Sequence, residues 1–192
     1  MVVDNDPAHN IKAAIFMDIV PTSEQWRAMS DSKLSIPYYH WPFLANEAAP
    51  SLIELMGGRN YLLHSLQRMK TINPKGAARF DENDAIEHYA QNFSSPDTIK
   101  GSCADYRAGA TVDVDEQSND VKEGRKIKVS LLVLYSARNL GGTHDVLGIW
   151  KRWSDSVVDA IGIEDDIGHF LPEEAPEVTV EHILRWIGKH DG

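Results

Sequence analysis

Two short runs of consecutive apolar residues organise the chain: AAIFM over 13–17 and VSLLVLY over 129–135. The first is bounded by Lys12, Asp18 and Pro21, the second by a loop that ends in Gly141 and Gly142. Runs so brief and so continuously apolar predict strands buried on both faces, the habit of a parallel sheet. A third, weaker run over 156–161 precedes a loop carrying Gly168 and His169. Between the second and third runs, Val146, Leu147, Ile149, Trp150 and Trp153 keep helical spacing, which predicts a helix over 145–153 and hence a strand-helix-strand unit. Val178, Val180, Ile183, Leu184 and Ile187 then form one stripe behind a Pro-Glu start, so an amphipathic helix is expected over 176–189. The alternation belongs to the α/β class.

Residues 18–128 separate the first two strands, far more than the dozen or so that a crossover requires. The spacing predicts inserted helices over 34–45, 60–70 and 84–93. Another is opened by Ser95 and Pro96, a capping residue and a residue suited to the first helical turn, and it carries Cys103, Asp105, Tyr106 and Arg107. The charged stretch 113–128 reads as a solvated connector back to the sheet.

Composition narrows the field of partners. The 192 residues hold 42% hydrophobic residues and a net charge of -10, from 19 Lys+Arg against 29 Asp+Glu, which suits one packed domain with an insertion rather than a disordered chain. An acidic chain without a basic stripe argues against nucleic acid. One cysteine, Cys103, allows no intrachain disulfide, and the absence of paired Cys/His spacing leaves no case for zinc; no metal and no cofactor are expected. The first residues lack the basic and apolar regions of a signal peptide, and no stretch approaches the roughly 18 apolar residues of a membrane span. A cytoplasmic protein that does not engage membranes is expected.

Four positions join polar chemistry to a suggestive place. Asp18 lies just past the first strand, where ligands of parallel sheets gather, and reads either as a site carboxylate or as a loop residue accepting backbone N–H bonds. His169, after a glycine and the acidic run 164–166, reads as a general base or a surface histidine. His40 and Trp41, preceded by Tyr38 and Tyr39, offer N–H and O–H donors on aromatic surface suited to an anion, while aromatic clusters also serve as core. Tyr106 has the same two readings.

Taken in order, MDIVPT (17–22), YHWPFL (39–44), GSCADYRAG (101–109) and IGHFLPEEAP (167–176) resemble the haloacetate (fluoroacetate) dehalogenase-like branch of the α/β-hydrolase superfamily, over the part that follows its nucleophile elbow. The resemblance implies a partial α/β-hydrolase fold, with the last three parallel strands and their flanking helices formed by 1–25 and 122–192. A helical cap insertion and connector would occupy 26–121. It implies Asp18 as the triad acid, His169 as the histidine that activates water, and His40, Trp41 and Tyr106 as donors to a departing halide. The loop after the second strand has no carboxylate before Asp145, which favours Asp18 as the acid.

The family's reaction also needs an aspartate nucleophile on an elbow and a pair of arginines for the substrate carboxylate. The sequence contains neither G-x-S-x-G nor G-x-D-x-x-G, and residues 1–9 match the tail of the helix after the elbow. A small-molecule hydrolase acting on a halide, epoxide or ester is expected, as a homodimer or with a complementing N-terminal hydrolase half. The alternative is a truncated, non-catalytic pseudoenzyme that binds a small anion or a partner protein through its cap.

Overall fold

The computed structural model describes residues 10–70, 72–164 and 166–190. The expected helix tail over 1–9 and Asp165 of the acidic run lie outside them. Two compact units are formed: Met1–Val20, Met69–Glu82 and Arg125–Gly192 make one, Pro21–Arg68 and Asn83–Gly124 the other.

The first unit is built on three parallel strands, β1 (Ala13–Met17), β2 (Ser130–Ser136) and β3 (Val158–Ile163), in the spatial order β1-β2-β3. In β2, Leu131, Leu132, Val133 and Leu134 are fully buried, because a central strand hides both faces. Alternation sends Leu131 and Val133 to one face, where Val146, Ile149 and Trp150 of the helix Val146–Trp153 cover them. Leu132 and Leu134 face the other side, against Leu171 and Trp186, the latter from the helix Pro176–His190. Each such side chain contributes roughly 2 kcal/mol on burial, so this strand anchors the unit. Helices on both faces of a parallel sheet make this unit α/β, as expected.

Two expectations shift here. β1 was expected to be buried on both faces, yet Ala14, Ile15 and Phe16 are only half-buried and Met17 is exposed. Among the described residues β1 pairs with β2 alone, and an edge strand shields less of itself. β3 begins two residues later than the run 156–161 suggested. The Ser154 hydroxyl accepts the Ser156 N–H at 3.0 Å, so a local turn occupies the start of that run and pairing with β2 opens at Val158.

The second unit is helical. His40–Ala45, Ala49–Met56 and Pro96–Ala110 gather around Leu44, Ile53, Tyr61, Ile99 and the buried Cys103. Close packing fixes one glycine: a Cβ on Gly58 would stand 2.2 Å from the Phe93 carbonyl oxygen. The helix expected over 34–45 is two pieces, Ser32–Ser35 and His40–Ala45, separated by turns over 36–39 in which Pro37 has no N–H to give the helical ladder. The stretch 113–128, expected as a solvated connector, is helical over most of its length: Val112–Glu123 is a helix, largely exposed, closed by Gly124 at φ 66. Its buried residues are polar, Gln117 and Asp120, and Gln117 accepts the Ser23 N–H at 2.9 Å. Apolar periodicity is blind to such a helix.

Candidate functional site

The polar residues of the first unit converge at the carboxyl ends of its strands, where chain connections leave ligands room in parallel sheets. Asp18 follows β1 directly. Its N–H donates to the Leu134 carbonyl at 2.7 Å, extending the ladder by one bond, and its φ of 48 turns the chain out of the strand. Aspartate tolerates that left-handed conformation better than most residues. The next residue is held too, because the indole Nε1–H of Trp150 donates to the Ile19 carbonyl at 3.1 Å.

The Asp18 carboxylate is 1% exposed and fully engaged. Oδ1 accepts the Ser136 N–H at 2.8 Å; Oδ2 accepts the Asn139 side-chain N–H at 3.4 Å and meets His169 Nδ1 at 2.8 Å. A carboxylate only accepts, so the proton in that contact belongs to Nδ1, and Nε2 carries the lone pair of a base. His169 is 38% exposed, open enough to reach a water.

Three side chains outside the sequence expectations brace this pair. Ser136 Oγ, fully buried, donates to the Ile167 carbonyl at 2.5 Å and accepts the Asn139 N–H at 2.9 Å, tying the loop after β2 to the loop after β3. Glu174, also buried, accepts the Gly168 N–H at 2.6 Å and so fixes the residue before His169. The signal available for Ser136 and Asn139 was position alone: they lie in the loop directly past the most apolar run of the chain.

In the second unit, His40, Trp41 and Tyr106 lie together. The His40 and Trp41 rings meet the Tyr106 ring edge-on at 6.0 and 5.7 Å, and Trp26 meets Trp41 at 5.6 Å. His40 is buried and Trp41 and Tyr106 are half-buried. Burial, with the nearby Asp105 carboxylate, pushes the Tyr106 phenol up, against a smaller opposing effect of Arg68, so its O–H is retained as a donor. Arg68, which drew no attention in the sequence, donates to the Pro37 carbonyl at 2.6 Å, lies 3.1 Å from His40 Nδ1, and sits 5.0 Å over the Tyr39 ring. Burial raises the Cys103 thiol as well, which leaves it protonated and unreactive.

Comparison with known proteins places these residues in context. No family model matches the chain. A fluoroacetate dehalogenase from Burkholderia sp is 27% identical over 180 residues, 94% of this chain and 56% of that protein. A soluble epoxide hydrolase from Corynebacterium sp. (strain C12) is 27% identical over 107 residues, covering 56% of this chain and 34% of the relative. Among solved structures, one assigned as an α/β hydrolase from Nostoc sp PCC 7120 is 31% identical with a TM-score of 0.81, over 96% of this chain and 60% of that one. One assigned as an epoxide hydrolase from Pseudomonas aeruginosa is 29% identical with a TM-score of 0.82, over 97% and 60%. The chain thus spans about half the length, or less, of these curated relatives. Among the described residues no helix is long and apolar enough to cross a membrane.

Proposed function

This chain is a relative of the haloacetate dehalogenase-like branch of the α/β-hydrolase superfamily, and from that premise we propose that it supplies the water-activating half of a hydrolase for a small organic halide, epoxide or ester. The observation that carries the reading is the 2.8 Å contact between His169 Nδ1 and the buried Asp18 carboxylate. In the reaction, a carboxylate nucleophile attacks the substrate carbon: with a halide the C–X bond breaks and halide leaves, with an epoxide the ring C–O bond opens to an alkoxide that takes a proton, and either way an ester forms, whereas an ester substrate loses its alcohol and leaves an anhydride. His169 Nε2 takes a proton from water as its oxygen adds to the carbonyl of that intermediate. The tetrahedral adduct collapses, the product alcohol (or acid) departs with the proton from His169, and the carboxylate is regenerated. Asp18 holds the imidazole in its working tautomer and stabilises the imidazolium that forms transiently.

His40, Trp41 and Tyr106 act in this reading as donors to the small anion that leaves. Their N–H and O–H groups stand on aromatic surface, where an anion exchanges its water for fixed dipoles at little reorganisation cost. The nucleophile and the oxyanion donors come from a complementing segment, since no elbow motif occurs among these residues. The test is to co-purify the chain with a segment that carries an Asp elbow and offer the pair a haloacetate, an epoxide and an activated ester. Turnover of at least one, lost on His169→Ala, supports the proposal. A complex that forms yet hydrolyses none of the three refutes it.

A further inference from the structure

Residues 69–82 lie in sequence between two stretches of the helical unit yet belong to the sheet unit, where they pack against the segment that carries His169. The Met69 carbonyl accepts the His169 N–H at 3.5 Å. Phe80, the last residue of the helix Pro74–Phe80, is fully buried and meets the Phe170 ring at 4.9 Å between centroids. Phe170 in turn meets the His169 ring nearly edge-on, at 5.2 Å and 69°. Both distances lie in the range where aromatic rings attract one another.

Among the described residues the His169 ring makes its hydrogen bond through Nδ1 alone, to Asp18. That bond fixes the tautomer and the place of one ring atom. It leaves the ring able to tilt about the bond, because the torsion that turns an imidazole has broad minima. Tilting moves Nε2, the atom that takes the proton from water. The Phe170 ring blocks the tilt on one side. Its carbonyl is fixed by the Glu173 and Glu174 N–H groups at 3.1 and 2.8 Å, but its side chain is only half-buried and needs backing. Phe80 supplies it. Close packing holds the Phe80 ring, and the Lys70 ammonium, paired with Asp81 at 2.9 Å, lies 5.9 Å from the ring centre.

We propose that Phe80 is a positioning residue that, through Phe170, aims His169 Nε2, while Asp18 sets the tautomer. This rests on the reading of His169 as the base, and the order of the ring is read apart from any turnover. The first arm uses the chain by itself with isotope-labelled histidine, the His169 signals being identified by their loss in His169→Gln. Relaxation of the wild-type ring should give an order parameter near about 0.85; Phe80→Leu and Phe170→Leu should each bring it below about 0.6 while the Nδ1–H tautomer persists. Leu131→Ala opens a cavity on the face of β2 turned away from Leu171 and should leave the ring as ordered as in wild type. A wild-type ring that is already mobile, or a Phe80→Leu ring as ordered as wild type, overturns the proposal. So does equal disorder in Leu131→Ala, which would make the effect one of general loosening. Should Phe80→Leu fail to fold, Phe170→Leu, at a half-buried position, decides by the same criterion.

The second arm follows single turnovers of the complemented hydrolase. Formation of the covalent intermediate belongs to the complementing segment and its hydrolysis to His169. Phe80→Leu should therefore slow hydrolysis about ten- to hundredfold and leave formation within about twofold of wild type. Slowing of both steps alike, or of neither, overturns the role of Phe80. An intermediate that forms with no chain, wild type included, overturns the hydrolase reading alone, and ring order still decides whether Phe80 holds His169.

Discussion

Replacing Asp18 separates the structural part of its work from the chemical part. Asp18→Ala removes the acceptor of the Ser136 N–H, a buried amide with its bond at 2.8 Å, and places alanine at φ 48. An orphaned buried donor costs about 1–3 kcal/mol and the left-handed alanine about 1–2 more, so a loss of about 2–5 kcal/mol is expected in urea unfolding. Asp18→Asn is different. Asparagine tolerates the same φ, and its amide oxygen still takes the Ser136 N–H. Its amide nitrogen, however, now faces His169 Nδ1 with a donor. His169 must turn to the Nε2–H tautomer, which removes the lone pair that activates water. Stability should fall by no more than about 2 kcal/mol, while turnover of the complemented hydrolase falls by about 10⁴, the magnitude the handling of a wrong tautomer costs a serine protease triad. Nitrogen NMR of the ring reads the tautomer directly. If Asp18→Ala unfolds within 0.5 kcal/mol of wild type, taking about that much as the ordinary effect of a neutral substitution, or if Asp18→Asn leaves the Nδ1–H tautomer in place, the reasoning fails.

Other consequences follow from the same geometry. Ser136→Ala breaks the buried bond that ties the end of β2 to the loop after β3 and a second bond, from the Asn139 N–H, within the loop after β2, and should cost about 1–3 kcal/mol in unfolding experiments and slow turnover by loosening His169. Leu132→Ala opens a hole at a fully buried position of the central strand and should cost about 2–5 kcal/mol, measured the same way. Burial raises the Tyr61 phenol to about 12. Since the unfolded chain ionises near 10 and the folded one later, the unfolded state holds fewer protons between those values and stability is lost as pH rises through that window. At pH 11.5 the loss should be about 2 kcal/mol relative to pH 8, and Tyr61→Phe should remove that share of the pH dependence; a variant with the wild-type profile would show the ionisation lies elsewhere.

What the sequence could reveal followed from what it repeats. A continuous apolar run such as residues 131–134 has one physical solution, a strand hidden on both faces, and β2 is where it was read. The helices with an apolar stripe, Val146–Trp153 and Pro176–His190, were equally legible because each lays that stripe on one face of the sheet. The helix Val112–Glu123 was not, since it buries Gln117 and Asp120 instead of apolar residues, and its charges resemble those of a solvated loop. The Asp18 and His169 positions were found through motif order, and the structure brings those two side chains into contact across 151 residues of sequence. The braces around them left no such trace. Ser136, Asn139 and Glu174 bond to distant or backbone atoms, and an isolated polar residue carries no period that would announce its partner.

The central claim is that His169, held by Asp18, delivers water to an ester intermediate formed on a complementing segment. Intact-mass spectrometry of that segment, taken during turnover with wild-type chain and with His169→Ala, tests it most directly. The substrate adduct should accumulate to near one per segment with His169→Ala and stay scarce with wild type. An adduct absent from both, with turnover unchanged by the substitution, would contradict it.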